Sequence, residues 1–314
     1  MGKIAFIFPG QGAQTVGMGK NLSDNFKEAR ELFAEADEAL RVKLSSLCFN
    51  GPEGELKLTA NTQPSTLTVS IAGLRVIEKN LGIIPDYVAG HSLGEYSALI
   101  ASKAFSFSDG VKAVQKRGQF MQEAVPEGEG GMAAVLGLSR DRVEEVCQEA
   151  AQGEVITPAN FNCPGQIVIS GAAKALDRAI TLAKEKGAPR TVVLPVSAPF
   201  HCALMEPAAK KLKGYLNDVT ITPLAFPVVT NVSALPNEEA GVVKEMLIKQ
   251  VTHPVLWEDS ITAMRERGVT LYVEIGPGKV LSGLVKKIDK SATLCNIDDT
   301  ESFKKLEKVW KEMN

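Results

Sequence analysis

Tyr87-Val88-Ala89-Gly90-His91-Ser92-Leu93-Gly94-Glu95-Tyr96 reads as a strand, a tight turn and the start of a helix. Residues 87–89 form a short buried strand, and 95–102 is a good helix opening. Gly90 and Gly94 stand two before and two after Ser92, the G-x-S-x-G pattern. Small residues there let the strand and helix backbones approach closely, and the turn lifts the serine hydroxyl to a helix N-terminus. The free N–H groups and the helix dipole then face any oxyanion that develops on an attacked carbonyl. The bland alternative is an incidental Gly/Ser turn; the strand and helix flanking it favour a nucleophile elbow.

Working outward, short apolar runs at 4–8, 87–90, 226–230, 271–275 and 293–297 alternate with amphipathic stretches at 25–40, 66–81, 109–124 and 238–250. Such alternation predicts a mainly parallel sheet covered by helices. With the elbow, it gives an α/β fold whose large domain is α/β-hydrolase-like. Residues 127–197 behave differently. A Gly-rich hinge at 127–131 leads to a strand (132–137), a helix (139–151, Ser139 as N-cap) and a strand (154–160). A turn at Asn162-Cys163-Pro164-Gly165, a strand (166–171), a helix (173–186) and a strand (191–196) follow. The order β-α-β-β-α-β is that of a ferredoxin-like unit. The expected division is a discontinuous catalytic domain, 1–126 and 198–314, with a small domain, 127–197, inserted into it.

A chain of 314 residues, 45% apolar and 23% charged, can bury a substantial core. Its net charge of −2 argues against a global pull toward nucleic acid. The five cysteines include no C-x-x-C pair, so neither a disulfide framework nor a zinc site is expected; a reducing cytoplasm suits them. No run approaches a membrane span, and the apolar stretch near the N-terminus, broken by Pro9-Gly10, is too short for a secretory leader.

A nucleophilic serine needs a base, and there are three histidines. His91 adjoins Ser92 and cannot easily reach the far side of its hydroxyl, so it reads as a packing residue. His253 precedes Pro254, which favours extended backbone and a structural role. His201 follows Ser197-Ala198-Pro199-Phe200, where the chain returns to the large domain, and is the base by elimination. No carboxylate near it in sequence presents itself as an orienting third member. In the 109–124 helix, Val114, Arg117 and Met121 share one side. Arg117 is therefore either a buried or rim residue satisfied by a local carboxylate or a cleft residue that waits for an anionic substrate.

Four motifs occur in order: Phe8-Pro9-Gly10-Gln11-Gly12-Ala13-Gln14, Gly90-His91-Ser92-Leu93-Gly94-Glu95-Tyr96, Gln115-Lys116-Arg117-Gly118 and Pro199-Phe200-His201. With Asn160 and Gln250 in place as well, the chain closely resembles the malonyl-CoA:acyl carrier protein transacylases of bacterial type II fatty-acid synthesis, over nearly its full length. The resemblance implies that Ser92 is acylated, that His201 is general base and acid, and that the Gln11 and Leu93 N–H groups form the oxyanion hole. It further implies that Arg117 pairs with the malonyl carboxylate and that the Gln250 carbonyl orients His201. Asn160 enters as a substrate-binding residue on the resemblance alone. Cys202 departs from the serine common after the histidine.

Malonyl-CoA and acyl carrier protein are the implied partners, with no metal or redox cofactor, coenzyme A serving as substrate carrier, and a monomer expected. Phe200 would crowd an α-methyl group and favour malonyl over methylmalonyl. Lys286, Lys287 and Lys290 form a local basic cluster, read either as a carrier-protein docking patch or as a solvated helix face. Competing readings are a stand-alone polyketide-type acyltransferase, a serine thioesterase or hydrolase, and a non-catalytic carrier-protein-binding module.

Overall fold

Ile4, Ala5, Phe6, Ile7 and Phe8 are all buried, as a strand covered on both faces requires. The computed structural model describes residues 2–196 and 198–313; Ser197, the last residue of the expected small domain, lies outside them. The strands are β1 (Lys3–Phe8), β2 (Tyr87–Gly90), β3 (Gly130–Leu136), β4 (Ile156–Cys163), β5 (Gln166–Ala172), β6 (Arg190–Val193), β7 (Val228–Val229), β8 (Pro236–Asn237), β9 (Val269–Ile275) and β10 (Thr293–Ile297).

The larger sheet has the order β10-β9-β1-β2-β7-β8, parallel except for the β7–β8 edge. Side chains alternate across it. Phe6 and Phe8 join the core built with helices Thr59–Asn80, Gly94–Ala101 and Phe107–Glu123, whereas Ala5 and Ile7 meet Trp257, Ile261 and Leu284 from helices Trp257–Glu266 and Val280–Ile288. The molecule is thus α/β with a sheet between two helical layers. The register pairs Phe8 with Gly90. The loop after β1 and the turn after β2 therefore emerge side by side at the carboxyl ends of the strands, where such sheets place their sites.

The smaller sheet, β4-β5-β3-β6, is wholly antiparallel. Helices Arg140–Ala151 and Ala173–Glu185 cover one face over a separate core that includes Ala133, Val135 and Ile169. The other face, with Met132 and Val168, merges into the main core beside Phe200 and Met205. Asn160 bridges to Val255, and Phe161 N–H donates to the Val255 carbonyl at 2.9 Å, so β4 is stitched to the larger half.

Several local expectations shift. Gly130 and Gly131 begin β3 rather than belong to a hinge. β4 runs through Asn162 and Cys163, because Pro164-Gly165 alone makes the reversal, with Cys163 opposite Gln166 and Gly165 at φ 72°. β7 shrinks to two residues and β6 ends at Val193. The helix expected from 66 begins at Thr59 despite Pro64, because it is buried through most of its length and burial outweighs one lost hydrogen bond. Ser139 occupies the N-cap position, but its side chain makes no capping bond. Among the described residues no helix is long and apolar enough to cross a membrane.

Candidate active site

Gly90 and Gly94 are fixed by contact. A Cβ on Gly90 would collide with the Gly94 backbone, and one on Gly94 with the Phe8 carbonyl. This close approach forces Ser92 to φ 52°, a left-handed conformation that costs a serine about 1–3 kcal/mol. Asn231, just after β7, offsets that strain. Its Oδ1 accepts the Ser92 N–H at 2.7 Å and its Nδ2 donates to the Gly90 carbonyl at 2.6 Å. Each bond contributes about 1 kcal/mol.

His201, also left-handed at φ 59°, sets Nε2 2.8 Å from Ser92 Oγ and Nδ1 2.7 Å from the Gln250 carbonyl. A carbonyl only accepts, so Nδ1 carries the hydrogen and bare Nε2 faces the serine hydroxyl. Burial, and next the charge of Arg117, hold the imidazole's pKa down to about 3, against the opposing pull of the Gln250 carbonyl. The ring is therefore neutral and able to take the serine proton. The orienting group sought among the carboxylates is a backbone carbonyl from helix Ala240–Thr252.

Arg117 is buried in helix Phe107–Glu123. Its Nη2 donates to Ser92 Oγ at 3.0 Å and to Gln250 Oε1 at 2.9 Å, and its Nη1 donates to Gln63 Oε1 at 2.8 Å. These hydrogen-bond partners are neutral, so no carboxylate bonds Arg117 directly; the carboxylate of Glu95 is reached through the Gln250 amide. Ser92, His201, Arg117, Gln11, Leu93, Asn160 and Phe200 line one cleft of about 260 Å³ with Gln63 and Met132. Gln250 stands behind it, buried. Lys286, Lys287 and Lys290 lie outside this lining, exposed at the end of helix Val280–Ile288 and just beyond, with Lys287 Nζ 3.2 Å from Gln166 Oε1.

His91 is half-buried in the wall of the same cleft: its Nε2 meets Asn162 Oδ1 of β4 at 2.9 Å, and desolvation lowers its pKa. His253 Nδ1 bonds the Lys249 carbonyl at 2.8 Å. Glu95, Asn231 and Gln63 were not foreseen. Glu95 is buried, its Oε2 accepting from Asn231 N and Gln250 Nε2, both at 2.9 Å. Burial raises its carboxyl to about 7, opposed by those two bonds and by Arg117. A lone charge opening the apolar stretch Tyr96-Ser97-Ala98-Leu99-Ile100 was the available signal. Asn231 and Gln63 carry no such mark.

The arrangement supplies a serine with a neutral base, a cation on the same oxygen, and a cleft beside them: the parts for acyl transfer through a serine ester. Residues 5–308 match the acyl transferase domain family. The chain is 51% identical to the malonyl CoA-acyl carrier protein transacylase of Bacillus subtilis, across 100% of this chain and 99% of that one. With the enzyme of the same name from Escherichia coli K12 the identity is 46%, across 96% and 98%. The crystal structure of the malonyl CoA-acyl carrier protein transacylase from Clostridium perfringens superposes with a TM-score of 0.96 at 48% identity, covering 99% of this chain and 98% of that one. The chain belongs to the acyl transferase family and, within it, to the malonyl CoA-acyl carrier protein transacylases.

Proposed function

We propose that the protein moves a malonyl group from malonyl-CoA to the phosphopantetheine thiol of acyl carrier protein, for fatty-acid chain elongation. The observation that carries this reading is Ser92 Oγ, 2.8 Å from His201 Nε2 and 3.0 Å from Arg117 Nη2. His201 takes the hydroxyl proton as Oγ attacks the thioester carbonyl. The N–H groups of Gln11 and Leu93 receive the oxyanion, a contribution of about 3–4 kcal/mol per donor in such sites. The coenzyme A thiolate then leaves with the proton from His201, and malonyl remains as the Ser92 ester. The carrier thiol reverses these steps. Arg117 holds the free carboxylate, and Asn160 and Phe200 shape the cleft around the acyl chain, Phe200 against an α-methyl. This chemistry requires no metal or redox cofactor.

In this reading 127–197 is a ferredoxin-like insertion in an α/β-hydrolase-like domain formed by 1–126 and 198–314; the strand order β4-β5-β3-β6 supports it. The enzyme acts as a cytoplasmic monomer. A polyketide role is the second reading, because a 42% identical neighbour was solved as a malonyl-transacylase in complex with a type II PKS acyl-carrier protein. Mixing with malonyl-CoA and weighing the intact protein tests the shared chemistry. One malonyl adduct is expected on the wild type and none on Ser92→Ala, and equal labelling of both overturns the mechanism. Comparing fatty-acid with polyketide carriers as acceptors separates the pathways.

A further inference from the structure

A guanidinium as deeply buried as Arg117 needs a compensating anion, yet the side chains that accept its hydrogen bonds are Gln63, Gln250 and Ser92, all neutral. The anion lies one amide further on. Gln250 Oε1 accepts from Arg117 Nη2 at 2.9 Å, while Gln250 Nε2 donates to Glu95 Oε2 at 2.9 Å. The same Nε2 reaches the Ser92 carbonyl at 3.1 Å, and Glu95 Oε2 also takes the Asn231 N–H. A carboxylate oxygen accepts only, so it turns the amide nitrogen toward itself and the amide oxygen toward Arg117. A carboxylate in direct contact would fill the guanidinium fork. One amide away, it offsets the buried charge without taking a donor of the guanidinium itself, whose Nε–H has no hydrogen-bond partner among the described residues.

We propose that Glu95 is the insulated counter-charge of Arg117, held off by the Gln250 amide, and that it tunes the preference for dicarboxylic over neutral acyl groups. The proposal rests on the reading that Arg117 receives the acyl carboxylate. Glu95 is a positioning residue, acting through Gln250 and through its charge.

The groups packed on Glu95 are Arg117 from helix Phe107–Glu123, neutral Gln250 from helix Ala240–Thr252, neutral Asn231 after β7, and Tyr96 on its own helix, whose phenol burial keeps protonated. His201 connects through the Gln250 carbonyl and through Ser92 Oγ, and stays neutral. Burial sets the Glu95 carboxyl to ionise near about 7. As pH rises through that value the site gains a negative charge, which opposes entry of a second carboxylate. KM for malonyl-CoA therefore rises with pH, and an acyl carboxylate on Arg117 makes Glu95 hold its proton more tightly.

The test is steady-state kinetics from about pH 6 to about pH 8, a window that brackets this ionisation. For the wild type, KM for malonyl-CoA is expected to rise about tenfold, the unscreened repulsion of two unit charges roughly 12 Å apart at an effective dielectric of about 20. KM for acetyl-CoA should stay flat. In Glu95→Gln both should be flat, with the malonyl–Ser92 ester still formed. A rise that persists in Glu95→Gln, or one that acetyl-CoA shares, overturns the proposal. Should Glu95→Gln not accumulate, calorimetry of the wild type in two buffers of different ionisation enthalpy replaces it. Net proton uptake with malonyl-CoA but not with acetyl-CoA is the expected result, and equal uptake with both overturns it. Absence of the ester in the wild type defeats the functional reading as well, whereas an ester without the pH difference defeats only the role of Glu95.

Discussion

A guanidinium 3.0 Å from a serine hydroxyl favours the alkoxide that attacks, and the same charge helps keep His201 unprotonated. Arg117 therefore acts on the nucleophile and the base before any substrate arrives, and its proposed pairing with an acyl carboxylate can be separated from this by choice of substrate. Arg117→Ala leaves a bound malonyl carboxylate unpaired, which costs about 3–5 kcal/mol, or roughly 10²–10³ or more in kcat/KM. Acetyl-CoA has no carboxylate to lose. It forfeits the donor on Oγ together with the bonds from Arg117 to Gln63 and Gln250, and relief of the depressed His201 partly offsets that, so acetyl transfer should hold within about tenfold. Parallel kinetics with the two thioesters checks this; an equal loss for both would remove the acyl carboxylate from the account and leave Arg117 to the nucleophile and the fold.

At the scale of elements, the elbow is a local device. Its strand, turn and helix are contiguous, which is why Ser92 could be read from spacing alone. The test of the packing argument is Gly94→Ala. Its methyl would meet the Phe8 carbonyl of β1, and backbone yields poorly. Overpacking of this kind costs about 1–3 kcal/mol, so the thermal midpoint should fall and the Ser92 ester should form slowly. An unchanged midpoint and acylation rate would mean that β1 and the elbow helix can part freely. What surrounds the elbow was less legible. His201 was reachable by elimination among three histidines. Gln250 was named only through resemblance, because a main-chain carbonyl as orienting group leaves no trace in side-chain chemistry. Asn231 and Gln63 come from distant segments, after β7 and on helix Thr59–Asn80, brought in by the sheet order and by a helix whose start was missed at Pro64. β4 was ended too early, at 160, and so Asn162, the partner of His91, was placed in a turn.

The whole molecule carries 35 basic and 37 acidic side chains, so its overall field does not attract an acidic partner. The proposed docking of a small, acidic acyl carrier protein would then rest on a local excess of positive charge. Lys286, Lys287 and Lys290 provide one: all three are exposed, at the end of helix Val280–Ile288 and just after it. Because they do not line the cleft, they are free to act on the carrier without touching the acyl group. Lys287 also reaches Gln166 at the start of β5, so one edge of the patch touches the smaller sheet. Reversing all three to glutamate should raise KM for the carrier protein about tenfold or more, through slower encounter, while KM for malonyl-CoA stays nearly constant. Added salt should weaken the wild type toward the variant, since exposed charges are screened over about 10 Å at about 0.1 M salt. A parallel rise in both constants would point to a distorted cleft, and no rise in either would leave these lysines as a solvated helix end.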